Sequence, residues 1–168
     1  TASVKSLLAQ NCIPVYSPAE SMKMINDVLV AILPQGKYLT ACYMHLNRIT
    51  MKLILINAGH PPVVCLPVKG DPFLIKSEGD VCGIFSDARF GMESLNVSKG
   101  DRFFIYSDGL VESAENKITW ASGAESFLPF YKTLRNVPYD RAPKEMINQL
   151  FGDNACPEDD IVLLCVEV

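Results

Sequence analysis

The chain has 168 residues, 49% of them hydrophobic and 20% charged, with 15 Lys and Arg against 19 Asp and Glu for a formal net charge of −4. That is chain enough for the core of one globular domain. An acidic balance without any Lys/Arg block argues against nucleic acid as a partner, because backbone binding needs a basic footprint.

Taken in chain order, "ASVKSLLAQ" (residues 2–10) reads as the end of a helix with nothing upstream to cap it. A second helix is announced by "SPAESMKMINDVLVAIL". Ser17 is a natural N-cap, Pro18 suits the first helical position, and Glu20 completes a capping box. Met24, Val28, Ala31 and Ile32 recur at helical spacing, which carries the helix to about Leu33 before Pro34, Gln35 and Gly36 break it. From Lys37 the pattern changes. "KYLTACYMHLN", "MKLILINAG", "PPVVCLP" and "FLIKS" are β-rich runs between turn-like residues, and they predict a meander of antiparallel strands. After a loop around Gly79 to Gly91 comes a strand ending in "RFFIYSDG". Helices follow near Gly123–Leu134 and Ala142–Phe151, and "DDIVLLCVEV" closes the chain as a strand whose apolar run suits a central, buried position. The order predicts an α+β domain of layered type.

No apolar stretch approaches membrane-span length, and nothing at the N-terminus resembles a signal peptide. The six cysteines (Cys12, Cys42, Cys65, Cys82, Cys156, Cys165) are scattered without any C-x-x-C pair, so zinc and redox readings gain no support. A reduced, cytoplasmic protein is expected.

Three features carry chemistry. Phe103 to Tyr106 form an apolar strand that ends in Ser107-Asp108-Gly109. A lone Asp-Gly is most often a turn, yet a carboxylate on a rigid strand end is also how a ligand is best held. Asp159 and Asp160 stand directly before the last strand, so pairing of the two strands would bring their acidic ends together. Clustered carboxylates repel unless a cation neutralises them, and oxygen-only donors favour Mg²⁺ or Mn²⁺. A solvated acidic loop remains the alternative. The third feature is His60 in "NAGHPP", a structural corner residue or a polar group facing a bound anion or water, while His45 reads as a face residue of its strand. No Gly-rich phosphate loop and no G-x-S-x-G elbow is present.

In this order and spacing, "NAGHPP", "LNVSKGDRFFIYSDGLVES" and "EDDIVLLCVEV" resemble the SpoIIE/RsbU-type branch of the metal-dependent protein phosphatase 2C superfamily. "SPAESMKMINDVL" and "GKYLTACYMHLN" extend the resemblance over nearly the whole chain. It implies a β-sandwich flanked by helices, a two-metal centre of Mn²⁺ or Mg²⁺, and hydrolysis of protein phosphoserine or phosphothreonine by a metal-activated water. Carried over by position, Asp108 and Asp159 match the metal-binding aspartates and Asp160 is a weaker candidate. His60 falls where the wider superfamily has an Asp.

The resemblance also implies partners: a phosphorylated STAS-type anti-sigma factor antagonist as substrate, and an upstream receiver or sensor domain. Two departures stand out. The family's first metal-ligand segment, an Asp followed by Gly-His-Gly or Gly-Lys-Gly, has no counterpart here. Val81-Cys82 and Val162 replace the usual Pro-Leu and Thr. The expectation is a single domain over residues 1–168, the C-terminal portion of a longer protein, lacking its first strands and further metal ligands upstream of Thr1. Taken alone it should self-associate, a homodimer included, and turn over poorly. The rival reading is a non-catalytic module of the same fold that binds a STAS-type or kinase partner.

Overall fold

Ser17 starts helix α1 (Pro18–Ile32) by a reciprocal exchange. The Glu20 amide donates to the Ser17 hydroxyl at 3.2 Å, and the Ser17 amide donates to Glu20 Oε2 at 2.7 Å, with Pro18 opening the helix. Those hydrogen bonds hold the Glu20 carboxyl below its usual range. Met22, Ile25 and Leu29 lie on one face at spacings of three and four, and all are buried. The computed structural model describes residues 6, 16–111, 120–152 and 160–168. The segment 2–10 therefore falls outside the described residues, Ser6 apart. Contacts divide the chain into two compact units, Thr1–His60 with Ser77–Asn96 and Pro61–Lys76 with Val97–Val168.

In the first unit α1 packs on an antiparallel sheet of β1 (Ala41–Asn47), β2 (Lys52–Ala58) and β5 (Gly91–Asn96), in the order β1-β2-β5. The β1–β2 hairpin pairs Ala41 with Ala58 and Asn47 with Lys52. Its turn is closed by Asn47, whose side-chain oxygen accepts from the amides of Ile49 and Thr50 at 3.0 and 2.9 Å. Met22, Ile25 and Leu29 of the helix meet Ile56, Ala58 and Cys82 in one apolar cluster. Asn26, like Ser21, is a polar residue buried on that helix. Buried, it donates to Phe85 O at 2.8 Å and accepts from Gly83 N at 2.9 Å, fastening the loop ahead of β5 to the helix.

The second unit is built on an antiparallel sheet of β3 (Val63–Leu66), β4 (Phe73–Ile75), β6 (Arg102–Tyr106) and β7 (Leu163–Glu167), ordered β4-β3-β6-β7. Three helices accompany it: α2 (Trp120–Ser126), α3 (Leu128–Thr133) and α4 (Ala142–Phe151). Alternation along the strands sends Val64, Leu66, Phe104 and Tyr106 to one face, where they meet Tyr131, Leu134 and Met146. The rings of Phe104 and Tyr131 lie 4.8 Å apart. Each such side chain removed from water contributes roughly 1.5–3 kcal/mol, so this layer supports β6. Two arginines fasten it. Arg102 bonds Glu167 Oε2 at 2.7 Å and the carbonyls of Leu134 and Val137 at 2.8 and 2.6 Å. Arg135 collects the carbonyls of Pro67, Val68 and Gly70.

The α+β class and the two antiparallel sheets agree with the sequence reading. Five details differ. Helix α1 buries Met22, Ile25 and Leu29, whereas Ala31 and Ile32 of the expected apolar face are exposed and Met24 and Val28 only half-buried. The meander is divided, because β2 and β3 do not pair but join different sheets. Gly59 with φ 68° turns the chain, and Pro61 and Pro62 bring no N–H to continue a ladder. Strand β5 lies where only a loop and the approach to β6 were expected. The helix expected near Gly123–Leu134 is two, with a proline restarting the second. Finally, β7 is an edge strand among the described residues and not a central one. Its apolar run has one face on the core through Leu163 and Cys165, while Leu164 and Val166 are 52% and 37% exposed. Composition alone does not separate a strand covered on both faces from one covered on a single face.

Candidate functional site

Strand β6 ends at Tyr106, and the chain turns at once into a 3-10 turn over Asp108–Leu110. The Leu110 amide donates to Ser107 O at 3.1 Å and the Val111 amide to Asp108 O at 2.8 Å, curling the backbone away from the sheet. Leu110 and Val111 are buried and anchor the turn. Asp108 is left half-buried at the mouth of the strand, with Oδ1 accepting from Gly109 N at 3.1 Å.

Antiparallel pairing sets what lies beside it. Tyr106 is the partner of Leu163, the first residue of β7, so the residues past Tyr106 run alongside those preceding Leu163. Ser107 donates its amide to Val162 O at 2.9 Å and its hydroxyl to Asp160 O at 2.9 Å. The Val162 amide returns a bond to Ser107 Oγ at 2.8 Å. The ends of β6 and β7 thus run side by side, with Ser107, the residue before Asp108, bonded to the main chain of Asp160, an exposed residue. Asp159 lies outside the described residues.

His60 belongs to the first unit. Gly59 precedes it in the left-handed region, and a Cβ there would sit 2.5 Å from Val81 Cγ1. The corner is closed by Asn57, only 3% exposed, which accepts from His60 N at 2.7 Å and donates to His60 O at 2.8 Å. His60 itself is half-buried. His45 is exposed in β1, as a face residue should be.

Asn57 and Ser107 were not singled out from the sequence. Each is a small polar residue at a strand end, where composition suggests only a turn. The one available signal was its position next to a candidate, three residues before His60 and one before Asp108.

The donor chemistry at Asp108 and Asp160 is oxygen alone, which fits a hard divalent ion in kind. Among the described residues no group of three or more His, Cys, Asp or Glu side chains is placed to hold a metal. Thiol chemistry is disfavoured at Cys65 and Cys82. Burial pushes Cys82 up to about 11, and burial together with the nearby Asp101 carboxylate pushes Cys65 up to about 12, so both stay protonated at neutral pH. Among the described residues no helix is long and apolar enough to cross a membrane.

Comparison with known proteins bears on the fold. The structure is similar to the RsbU and RsbW domains of Rv1364c from Mycobacterium tuberculosis, with a TM-score of 0.82 and 20% identity over 99% of this chain and 46% of that one. It is similar to the manganese-presoaked phosphatase domain of the cell fate determinant SpoIIE from Bacillus subtilis, with a TM-score of 0.64 and 16% identity over 100% of this chain and 74% of that one. The two antiparallel sheets and their helices are therefore those of the phosphatase 2C fold. In sequence, the chain is 26% identical over 116 residues to phosphoserine phosphatase RsbP of Bacillus subtilis, matching 67% of this chain but 29% of that protein. Residues 1–168 match the family described as Stage II sporulation protein E, and the chain belongs to that SpoIIE family.

Proposed function

We propose that the chain is part of a metal-dependent serine/threonine protein phosphatase. In this reading Asp108 and Asp159 hold Mn²⁺ or Mg²⁺, with Asp160 a weaker ligand beside them. The observation that supports it is the bond from Ser107, the residue before Asp108, to the main-chain oxygen of Asp160 across two paired strands of a SpoIIE-family chain. Bound divalent ions would lower the pKa of water and neutralise phosphoryl charge, which removes the need for a protein nucleophile. The protein's own part is to hold anionic ligands on a strand end that the Phe104–Tyr131 core keeps from shifting. His60, on a corner closed by Asn57, would offer a polar group toward the substrate anion or its attacking water.

The name of RsbP, a phosphoserine phosphatase, supports phosphoserine as the group hydrolysed. The substrate proposed is a phosphorylated STAS-type anti-sigma factor antagonist. The setting proposed is a cytoplasmic protein in which this chain is one domain and a receiver or sensor module lies upstream of it.

The test is substitution in the intact protein. Asp108→Asn and Asp159→Asn keep side-chain size and remove the charge that holds the ion. Each should lower Mn²⁺-dependent hydrolysis of a phosphoserine peptide by about 100-fold or more, with circular dichroism unchanged. Asp160→Asn should cost less. Wild-type rates in either of the first two variants would refute the assignment, and metal binding without turnover in the wild type would favour the partner-binding module.

A further inference from the structure

Strand β6 begins with Arg102, which stands between Leu66 of β3 and Glu167 of β7 in the register of the sheet. Residues opposite one another on paired strands share a face. At this end of the sheet lies a cavity of about 120 Å³, lined by Leu66, Pro67, Val68, Gly100, Arg102 and Arg135. The length of β6, roughly 15 Å at ~3.4 Å per residue, separates it from Asp108 at the other end.

The two guanidiniums differ in what meets their charge. Arg102 gives Nε to Glu167 Oε2 at 2.7 Å and Nη1 to the carbonyls of Leu134 and Val137. Arg135 gives Nη1 to the carbonyls of Pro67 and Val68 and Nη2 to that of Gly70. Carbonyls fix the plane of a guanidinium but leave its net charge in place. Among the described residues no carboxylate forms an ion pair with Arg135. Nor, among them, does Arg135 Nε or Arg102 Nη2 donate a hydrogen bond. The neighbouring acids are engaged elsewhere. Asp71 pairs with Lys132 at 2.7 Å, and the buried Asp101 accepts from the amides of Val68 and Ser98 at 2.8 and 2.7 Å. Lys69 and Lys99, exposed on the turns that supply Val68 and Gly100, add positive charge nearby. Apolar walls from Leu66, Pro67 and Val68 concentrate that field.

We infer that this cavity binds a small oxyanion of the phosphate class, held by the guanidinium N–H groups of Arg135 and Arg102 that their main-chain and Glu167 bonds leave over. Guanidinium donors match phosphate oxygens in geometry. Both side chains are already fixed by bonds the anion does not use, so little rotamer freedom is lost when it binds. The site requires nothing of the metal reading proposed above.

Val68 tests it without touching either arginine. Its side chain is 43% exposed, and its bonds to Asp101 and Arg135 are made by the main chain, so Val68→Glu and Val68→Gln should fold with circular dichroism unchanged. In the intact protein, with divalent ions chelated so that only protein groups bind, inorganic phosphate is titrated by calorimetry. Val68→Glu brings a carboxylate to the cavity and should weaken phosphate binding by about 10-fold or more, whereas Val68→Gln, of the same size but neutral, should stay within about 3-fold of wild type. No binding by the wild type up to about 10 mM phosphate overturns the inference. So does wild-type affinity in Val68→Glu, which places the anion elsewhere. Equal loss in Val68→Gln and Val68→Glu overturns it as well, because space and not charge is then the cause. A phosphoserine peptide titrated in parallel tells the sources of the anion apart. Binding more than about 3-fold tighter than phosphate, and still lost in Val68→Glu, supports the site with a peptide-borne phosphoryl group, and phosphate binding without peptide binding supports it with the free ion.

Discussion

Replacing Asn57 tests the corner that presents His60. Its side chain is 3% exposed and makes two bonds to one residue, accepting from His60 N at 2.7 Å and donating to His60 O at 2.8 Å. Each such bond contributes about 1 kcal/mol net. Truncation also leaves the half-buried His60 amide short of a partner, so Asn57→Ala should cost roughly 2–3 kcal/mol of unfolding free energy. Asn57→Asp is the sharper perturbation. It keeps the acceptor but sets a carboxylate oxygen against the carbonyl of His60, at about the same cost while ionised. Burial and that carbonyl would raise the folded pKa of the introduced acid above its unfolded value near ~4. Stability is then present below that pH and lost as pH rises through the folded pKa, so the deficit of Asn57→Asp against wild type should shrink in acid. Urea unfolding at pH 7 and pH 4 measures both. A deficit below about 0.5 kcal/mol for Asn57→Ala, within the range of an ordinary surface change, would refute the claim that this side chain holds the corner.

The other expectations concern His60 and the thiols. If His60 faces the chemistry, His60→Ala should slow turnover with little loss of stability; a lowered melting temperature at unchanged rate per folded molecule would make it a corner residue only. Cys65 and Cys82 have folded pKa values of about 12 and about 11, above the unfolded thiol near ~8.5. Between those values the unfolded chain has released protons that the folded chain keeps, so stability should be full below pH ~8.5 and fall toward pH 11, by up to about 1.4 kcal/mol per pH unit for each thiol. Urea midpoints at pH 8 and pH 10 test this, and a midpoint unchanged between them would contradict it.

Local signals were legible where one segment decides its own structure. Ser17, Pro18 and Glu20 specify the start of α1 by bonds that span three residues, and they are found as read. Arrangement across the chain was less so. Strand β5, "GMESLN", has exposed Glu93 and Ser94 and weak alternation, and it becomes a strand through its register with β2, from Asn57 with Gly91 to Lys52 with Asn96. The candidate site divides in the same way. Asp108 was visible because an acidic residue after Phe103–Tyr106 is a local anomaly. Ser107 was not, since the residues it grips lie more than fifty positions away. Asn57 resembled any polar residue before a turn, and its burial depends on neighbours that its own segment does not name.

Arg135 gives the second unit a different kind of robustness. Its guanidinium is always charged, and it spends its bonds on the carbonyls of Pro67, Val68 and Gly70. A carboxylate partner would discharge in acid, and an exposed ion pair would fade as ionic strength rises. A peptide carbonyl does neither, because it has no proton to gain and no net charge for salt to screen. The clasp between the 3-10 turn after α3 and the chain leaving β3 is therefore indifferent to the ionic composition around it. An acid and salt series should weaken the Lys132–Asp71 and Lys76–Glu125 surface pairs first and leave this one in place.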